Sequence, residues 1–174
     1  MIKKKNEYGH ELEVINVRLV KEPSFISETP IKTQSDAVNV VKDFLSQYDR
    51  EVFCVLNLAS DGKPIGINIA SIGTLNAALV SPRDVFKSSI LCNAAGFIAF
   101  HCHPSGNPKP SREDAETTQK LRDAGGLLDI TMLDHIIVGC GNRRSFSFAG
   151  HNLLKGRNLV AAYERYEKEH SYER

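Results

Sequence analysis

The sequence predicts an α/β fold, a mixed sheet flanked by helices, and three features carry that prediction. Val52–Leu58 and Ala94–Phe100 are short, nearly continuous apolar runs, as strands covered on both faces require. Between and around them lie segments whose apolar residues recur three and four apart, the spacing of amphipathic helices. Turn-forming residues separate the two kinds of segment, so strands and helices alternate and pack as layers. At 174 residues the chain suits one domain that buries a core without staples.

In chain order, Glu11 to Val20 alternates imperfectly, with Leu12, Val14, Val17 and Leu19 among polar residues, and reads as an edge strand. Pro23 to Thr33 is a loop. Ser35 then precedes a helix with apolar residues at 37, 38, 41, 44 and 45, ending near Tyr48. Val52–Leu58 is a buried central strand, Asp61-Gly62 a turn, and Ile65 to Ile72 the return strand of a hairpin. Ser81-Pro82-Arg83-Asp84 has a capping residue, a proline at the first helical position and an early acid, so a helix runs from about Pro82 to Asn93.

The next strand ends in His101-Cys102-His103. Residues two apart on a strand share a face, so both imidazoles can reach one ion while Cys102 points to the other side. Pro104 to Pro110 holds three prolines and a glycine and must be a loop. Ser111 opens a helix whose first turn carries Asp114, facing back towards the loop, and Gly125-Gly126 supplies its left-handed stop. Leu127 to Val138 is strand material, with a further strand over Ser145 to Phe148. From His151 the composition shifts, and Leu159 to Lys168 reads as an amphipathic helix, either docked on the domain or used for homodimerisation.

Composition excludes several classes of function. With 41% hydrophobic and 25% charged residues and a formal net charge of +1, the chain is that of an ordinary protein with no global attraction to nucleic acid. Any DNA contact rests on Lys3-Lys4-Lys5 and Arg143-Arg144. Met1 to Lys5 is charged, but no apolar stretch follows, and no run approaches membrane-spanning length, so the protein is expected in the cytoplasm. Cys54, Cys92, Cys102 and Cys140 form no C-x-x-C pair and read as buried thiols of a reducing compartment.

His101, His103 and Asp114 therefore converge as two nitrogen ligands and one oxygen ligand. Three protein ligands with room for a water make a catalytic zinc site, whereas a structural one would take four. Ser111 can cap the helix and can also donate to an oxyanion.

The pattern His-x-His, seven residues, Ser, two residues, Asp resembles the signature of the MPN/JAMM (JAB) metalloprotease family, and the flanking His-Pro-Ser-Gly word resembles its RadC branch. Asp134-His135, Gly73-Thr74-Leu75 and Pro82-Arg83 are similar to further RadC words. The resemblance covers roughly Arg50 to Gly150. It implies an α/β/α sandwich of the cytidine-deaminase-like superfamily, Zn2+ on His101, His103 and Asp114, and hydrolysis of a peptide or isopeptide in a protein substrate. It also implies Glu51, ahead of the first core strand, as general acid/base and Ser111 as oxyanion donor. His135 is expected to hold structure through hydrogen bonds, and His10, His151 and His170 to be surface residues. Cys102 stands where relatives usually carry asparagine, and the opening 48 residues show no helix-hairpin-helix DNA-binding element. The expected organisation is a domain over 1–150 with a C-terminal helical extension over 151–174.

Two rival functions remain. One is a non-catalytic module that binds DNA or protein in DNA repair or the maintenance of a mobile element. The other, a nucleobase deaminase, wants His-x-Glu and Pro-Cys-x-x-Cys, and the chain has neither.

Overall fold

The computed structural model describes residues 30–45, 48–73, 80–139 and 144–171. Four helices and five strands follow one another as α1 (Gln34–Leu45), β1 (Val52–Leu58), β2 (Pro64–Ile72), α2 (Pro82–Leu91), β3 (Gly96–His103), α3 (Arg112–Leu127), β4 (Thr131–Gly139), β5 (Ser145–Ser147) and α4 (Leu159–Glu169). The strands form one mixed sheet in the order β2-β1-β3-β4-β5, with β3 and β4 parallel and the other neighbours antiparallel. The expected α/β architecture is present. The edge strand expected over Glu11 to Val20, Lys3-Lys4-Lys5, Arg143 and the Thr74-Leu75 word lie outside the described residues.

Strand parity divides the core in two. Val52, Cys54, Leu56, Leu58, Ile98, Phe100 and Cys102 pack with Ala37, Val41 and Leu45 of α1 on one face. Phe53, Val55, Phe97 and Ala99 pack with Val85 and Phe86 of α2 and Leu121 of α3 on the other. With helices on both faces, β1 and β3 have no wet side, which is why they read as continuous apolar runs. A third cluster joins Ala115, Ile137, Phe146, Phe148, Leu159 and Tyr163, so α4 packs where α3, β4 and β5 meet.

Three local details differ from expectation. The first helix is capped by Thr33, not Ser35: the Thr33 hydroxyl accepts from the Asp36 amide, and the Asp36 carboxylate accepts from the Thr33 amide. Helix α3 runs through Gly125-Gly126 to Leu127, and the left-handed residue is Asp129, with φ 56°. Gly125 is needed for proximity instead: a Cβ there would lie 2.5 Å from the Ile130 carbonyl oxygen and against Phe86 and Phe97. Cys102 is fully buried on the α1 face, as strand parity requires, yet it is disulfide-bonded, with a partner outside the described residues. The expectation of a free thiol there is corrected; Cys54 and Cys92 are free.

Candidate metal centre

The β1–β3 register builds the site. Val52 pairs with Cys102 and Phe53 with His101, so the next step brings Glu51 level with His103 at the end of the sheet. Parity puts Glu51, Phe53, His101 and His103 on the same face, under the first turn of α3. Six residues after α1 ends and fifty before His101, Glu51 is marked in the sequence only by the family resemblance, and nothing in its local pattern gives this neighbourhood. Pairing supplies it.

Ser111 caps α3 in a reciprocal box. Its hydroxyl accepts from the Asp114 amide at 3.1 Å, and Asp114 Oδ2 accepts from the Ser111 amide at 2.7 Å. The box aims the Asp114 carboxylate backwards at the strand end, where Oδ1 lies 2.8 Å from His101 Nδ1 and Oδ2 lies 3.7 Å from His103 Nε2. Nε2 of His101 meets Oε2 of Glu51. The single Ser111 hydroxyl proton goes to Asp114 Oδ2 at 2.6 Å. His103 Nδ1 donates to the Asn107 carbonyl at 2.9 Å, which fixes the tautomer that leaves Nε2 free for an ion.

Glu51, His101 and His103 each offer a donor atom, all within 4.8 Å of one another. Asp114, expected as the third ligand, stands beside them against both imidazoles. Two carboxylates and two imidazoles in a largely buried cleft fit a divalent cation, because buried carboxylates brought together need positive charge between them. The proton on His101 answers the same demand: burial disfavours its charged form, but hydrogen bonds to Asp114 and Glu51 outweigh that and raise its pKa to about 9. Burial likewise pushes Asp114 up, and His101 and Ser111 reverse it, holding the carboxyl well below its usual range.

Behind the ligands lies His135. The Thr118 hydroxyl donates to the Asp114 main-chain oxygen at 2.5 Å and so accepts from His135 Nδ1 at 2.7 Å. The His135 ring is parallel to Phe148 (6°, 5.2 Å) and nearly parallel to His101 (12°, 6.4 Å). Burial pushes its pKa down to about 3, so it is neutral, and Nε2 has no hydrogen-bond partner among the described residues. The expected structural role fits this geometry. Asp134 is raised by burial and accepts from Ser147 at 2.5 Å and the Ala149 amide at 2.9 Å, tying β4 to the turn after β5.

Sequence reasoning missed Thr118 and Tyr163. Thr118 had a signal, standing four residues after Asp114 on the same helix face. Tyr163, on α4, donates to the Pro110 carbonyl at 2.5 Å and pins the loop that leads from His103 to α3; nothing in the sequence marks it. His151 and His170 are exposed, as expected.

The family model for the RadC-like JAB domain matches residues 31–153, a span that contains the whole cleft. The chain belongs to the RadC-like JAB family. It is 40% identical over 135 residues to a UPF0758 protein of Moorella thermoacetica, covering 78% of this chain and 56% of that one. A UPF0758 protein of Methanosarcina mazei is 40% identical over 129 residues, covering 73% and 56%. One of Caldanaerobacter subterraneus is 40% identical over 121 residues, covering 70% and 52%. The chain thus matches about half the length of these relatives, whose names state no activity. Helix α4 lies beyond the matched segment. Among the described residues, no helix is long and apolar enough to cross a membrane.

Proposed function

We propose that this RadC-like JAB protein is a zinc-dependent hydrolase of peptide or isopeptide bonds. The observation that carries the reading is the convergence of Glu51 on His101 and His103 under Asp114. His101, His103 and Asp114 would hold the ion, with Glu51 next to it. A zinc ion there supplies Lewis-acid chemistry, polarising a carbonyl and making water a nucleophile near neutral pH.

The chain's own groups do the rest. Glu51 Oε2 accepts the proton of the attacking water and returns it to the departing amine. Ser111 swings its hydroxyl from Asp114 to the developing oxyanion, a rotation about one bond. Asn107 holds the His103 tautomer, and Thr118 with His135 steadies the first turn of α3. A cytoplasmic site of action belongs to the same reading; Cys54 and Cys92, in no disulfide, accord with it, and the disulfide at Cys102 does not.

Metal analysis of the purified chain beside Asp114→Ala tests it. About one zinc per chain, lost in the variant, is expected; no zinc after reconstitution sinks the hydrolase. The second reading, a module that binds DNA or protein without catalysis, has the exposed Arg144 in its favour. A salt-dependent DNA affinity that survives Glu51→Gln would support it.

A further inference from the structure

The peptide group that joins Pro110 to Ser111 is bonded at both ends. Its N–H donates to Asp114 Oδ2 at 2.7 Å, and its carbonyl accepts from the Tyr163 hydroxyl at 2.5 Å. The unit is planar and trans, so its oxygen and its hydrogen point in opposite directions. Tyr163 therefore stands on one side of it and the Asp114 carboxylate on the other. A donor on the carbonyl polarises the peptide and strengthens the bond that its N–H makes, the more so away from water. Pro110 and Tyr163 are both buried.

Helix α3 itself sets the position of Tyr163. Gln119 Oε1 accepts from the Leu159 and Val160 amides at 2.9 and 3.4 Å, at the start of α4. Arg122 donates to the carbonyls of Leu154, Gly156 and Arg157 at 3.1, 2.8 and 3.0 Å, which fixes the turn before α4. Leu159 and Tyr163 then pack with Ala115 of α3. Helix α3 thus seats α4, and α4 returns a hydroxyl to the peptide in front of α3. The phenol stays a donor, because burial and the charges of Glu167 and Asp114 push its pKa up.

We propose that Tyr163 is a positioning residue for Asp114 as a metal ligand, acting through the Pro110–Ser111 peptide. The inference rests on the zinc-hydrolase reading and gives that site a support from outside the family-matched residues 31–153. Asp114 is held at two places. Thr118, backed by His135, donates to its main-chain oxygen. The Ser111 amide, backed by Tyr163, holds Oδ2, the oxygen that lies 3.7 Å from His103 Nε2. When the Ser111 hydroxyl turns to the oxyanion, its own bond to Oδ2 is given up and the amide keeps the carboxylate in place. Tyr163 sets how firmly it does so.

The test uses the full chain carrying Tyr163→Phe, which keeps the buried ring and deletes the hydroxyl. Two quantities are read: zinc affinity by competition with a chelator, and the chemical shift of the Ser111 amide proton in the zinc-free protein. Zinc affinity should fall about 10–100-fold, and the amide proton should move upfield as its bond to Asp114 weakens. A ring-fluorinated tyrosine at the same position, a stronger donor of nearly the same size, should move that proton downfield; this arm stands even where Tyr163→Phe does not fold. Glu167→Gln breaks the exposed Lys109–Glu167 pair between α4 and the same loop and should leave both quantities unchanged. A Tyr163→Phe chain that is less stable but keeps its zinc affinity and Ser111 shift overturns the relay. So does fluorination that leaves the shift unmoved, or an equal loss of affinity in Glu167→Gln. Failure of the hydrolase reading shows separately, as an unsubstituted chain that binds no zinc; the Ser111 shift in the two variants at Tyr163 then decides the relay alone.

Discussion

Asp114 Oδ1 lies 2.8 Å from Nδ1 of His101, whose other ring nitrogen faces Glu51, so one imidazole is held between two carboxylates from different elements. The strand supplies the ring, the helix cap supplies one acid, and the start of β1 supplies the other.

Stability of the chelator-treated protein should depend on alkaline pH. The folded-state pKa of His101, about 9, lies above its unfolded value of about 6.5. A raised pKa gives stabilisation that is full below about 6.5 and is lost as pH rises through about 9. Urea midpoints should therefore fall across that interval. Zinc affinity should rise across it, because the ion must displace the His101 proton. A midpoint independent of pH between 6 and 9 contradicts the ion pair.

Glu51→Gln separates base from ligand. With Glu51 as the base, turnover drops by about 10²–10⁴ and one zinc per chain remains. Zinc lost together with turnover would make Glu51 a ligand, as its place within 4.8 Å of both histidines allows. Elemental analysis decides between them.

Ser111→Ala removes the cap and the hydroxyl together. Loss of the cap costs about 0.5–2 kcal/mol of stability, whereas loss of an oxyanion donor costs about 10²–10³ in kcat. Assayed well below the unfolding temperature, the variant should show the kinetic loss at full occupancy of the folded state. A variant that is less stable yet turns over normally confines Ser111 to capping.

Thr118→Val leaves the buried His135 Nδ1 without its acceptor and removes the bond to the Asp114 main chain. A destabilisation of about 1–3 kcal/mol is expected, with zinc affinity weakened about 10–100-fold. Unchanged affinity would show that the first turn of α3 needs no support from β4.

Much of the molecule was legible without coordinates because short-range rules govern it. Val52–Leu58 is bounded as its apolar run suggests, since a strand covered on both faces leaves no polar alternation to confuse its ends. His101 and His103 share a face because strand side chains alternate, and Ser111 with Asp114 forms a capping box because the helix sets their spacing. Where two local rules competed, the sequence misled. Gly125-Gly126 reads as a stop, but Gly125 serves the close packing of α3 on Ile130, Phe86 and Phe97, and the helix passes through it.

The sequence by itself determined the α/β class, the face that His101 and His103 share, and the turn that returns Asp114 towards them. Periodicity and capping are properties of neighbouring residues, so these were readable from spacing alone. Only the tertiary structure decided that Glu51 meets His101, that His135 reaches Asp114 through Thr118, and that Tyr163 of α4 fastens the metal loop at Pro110. Those contacts join residues 50, 17 and 53 positions apart, and they exist because sheet register and helix docking bring them together.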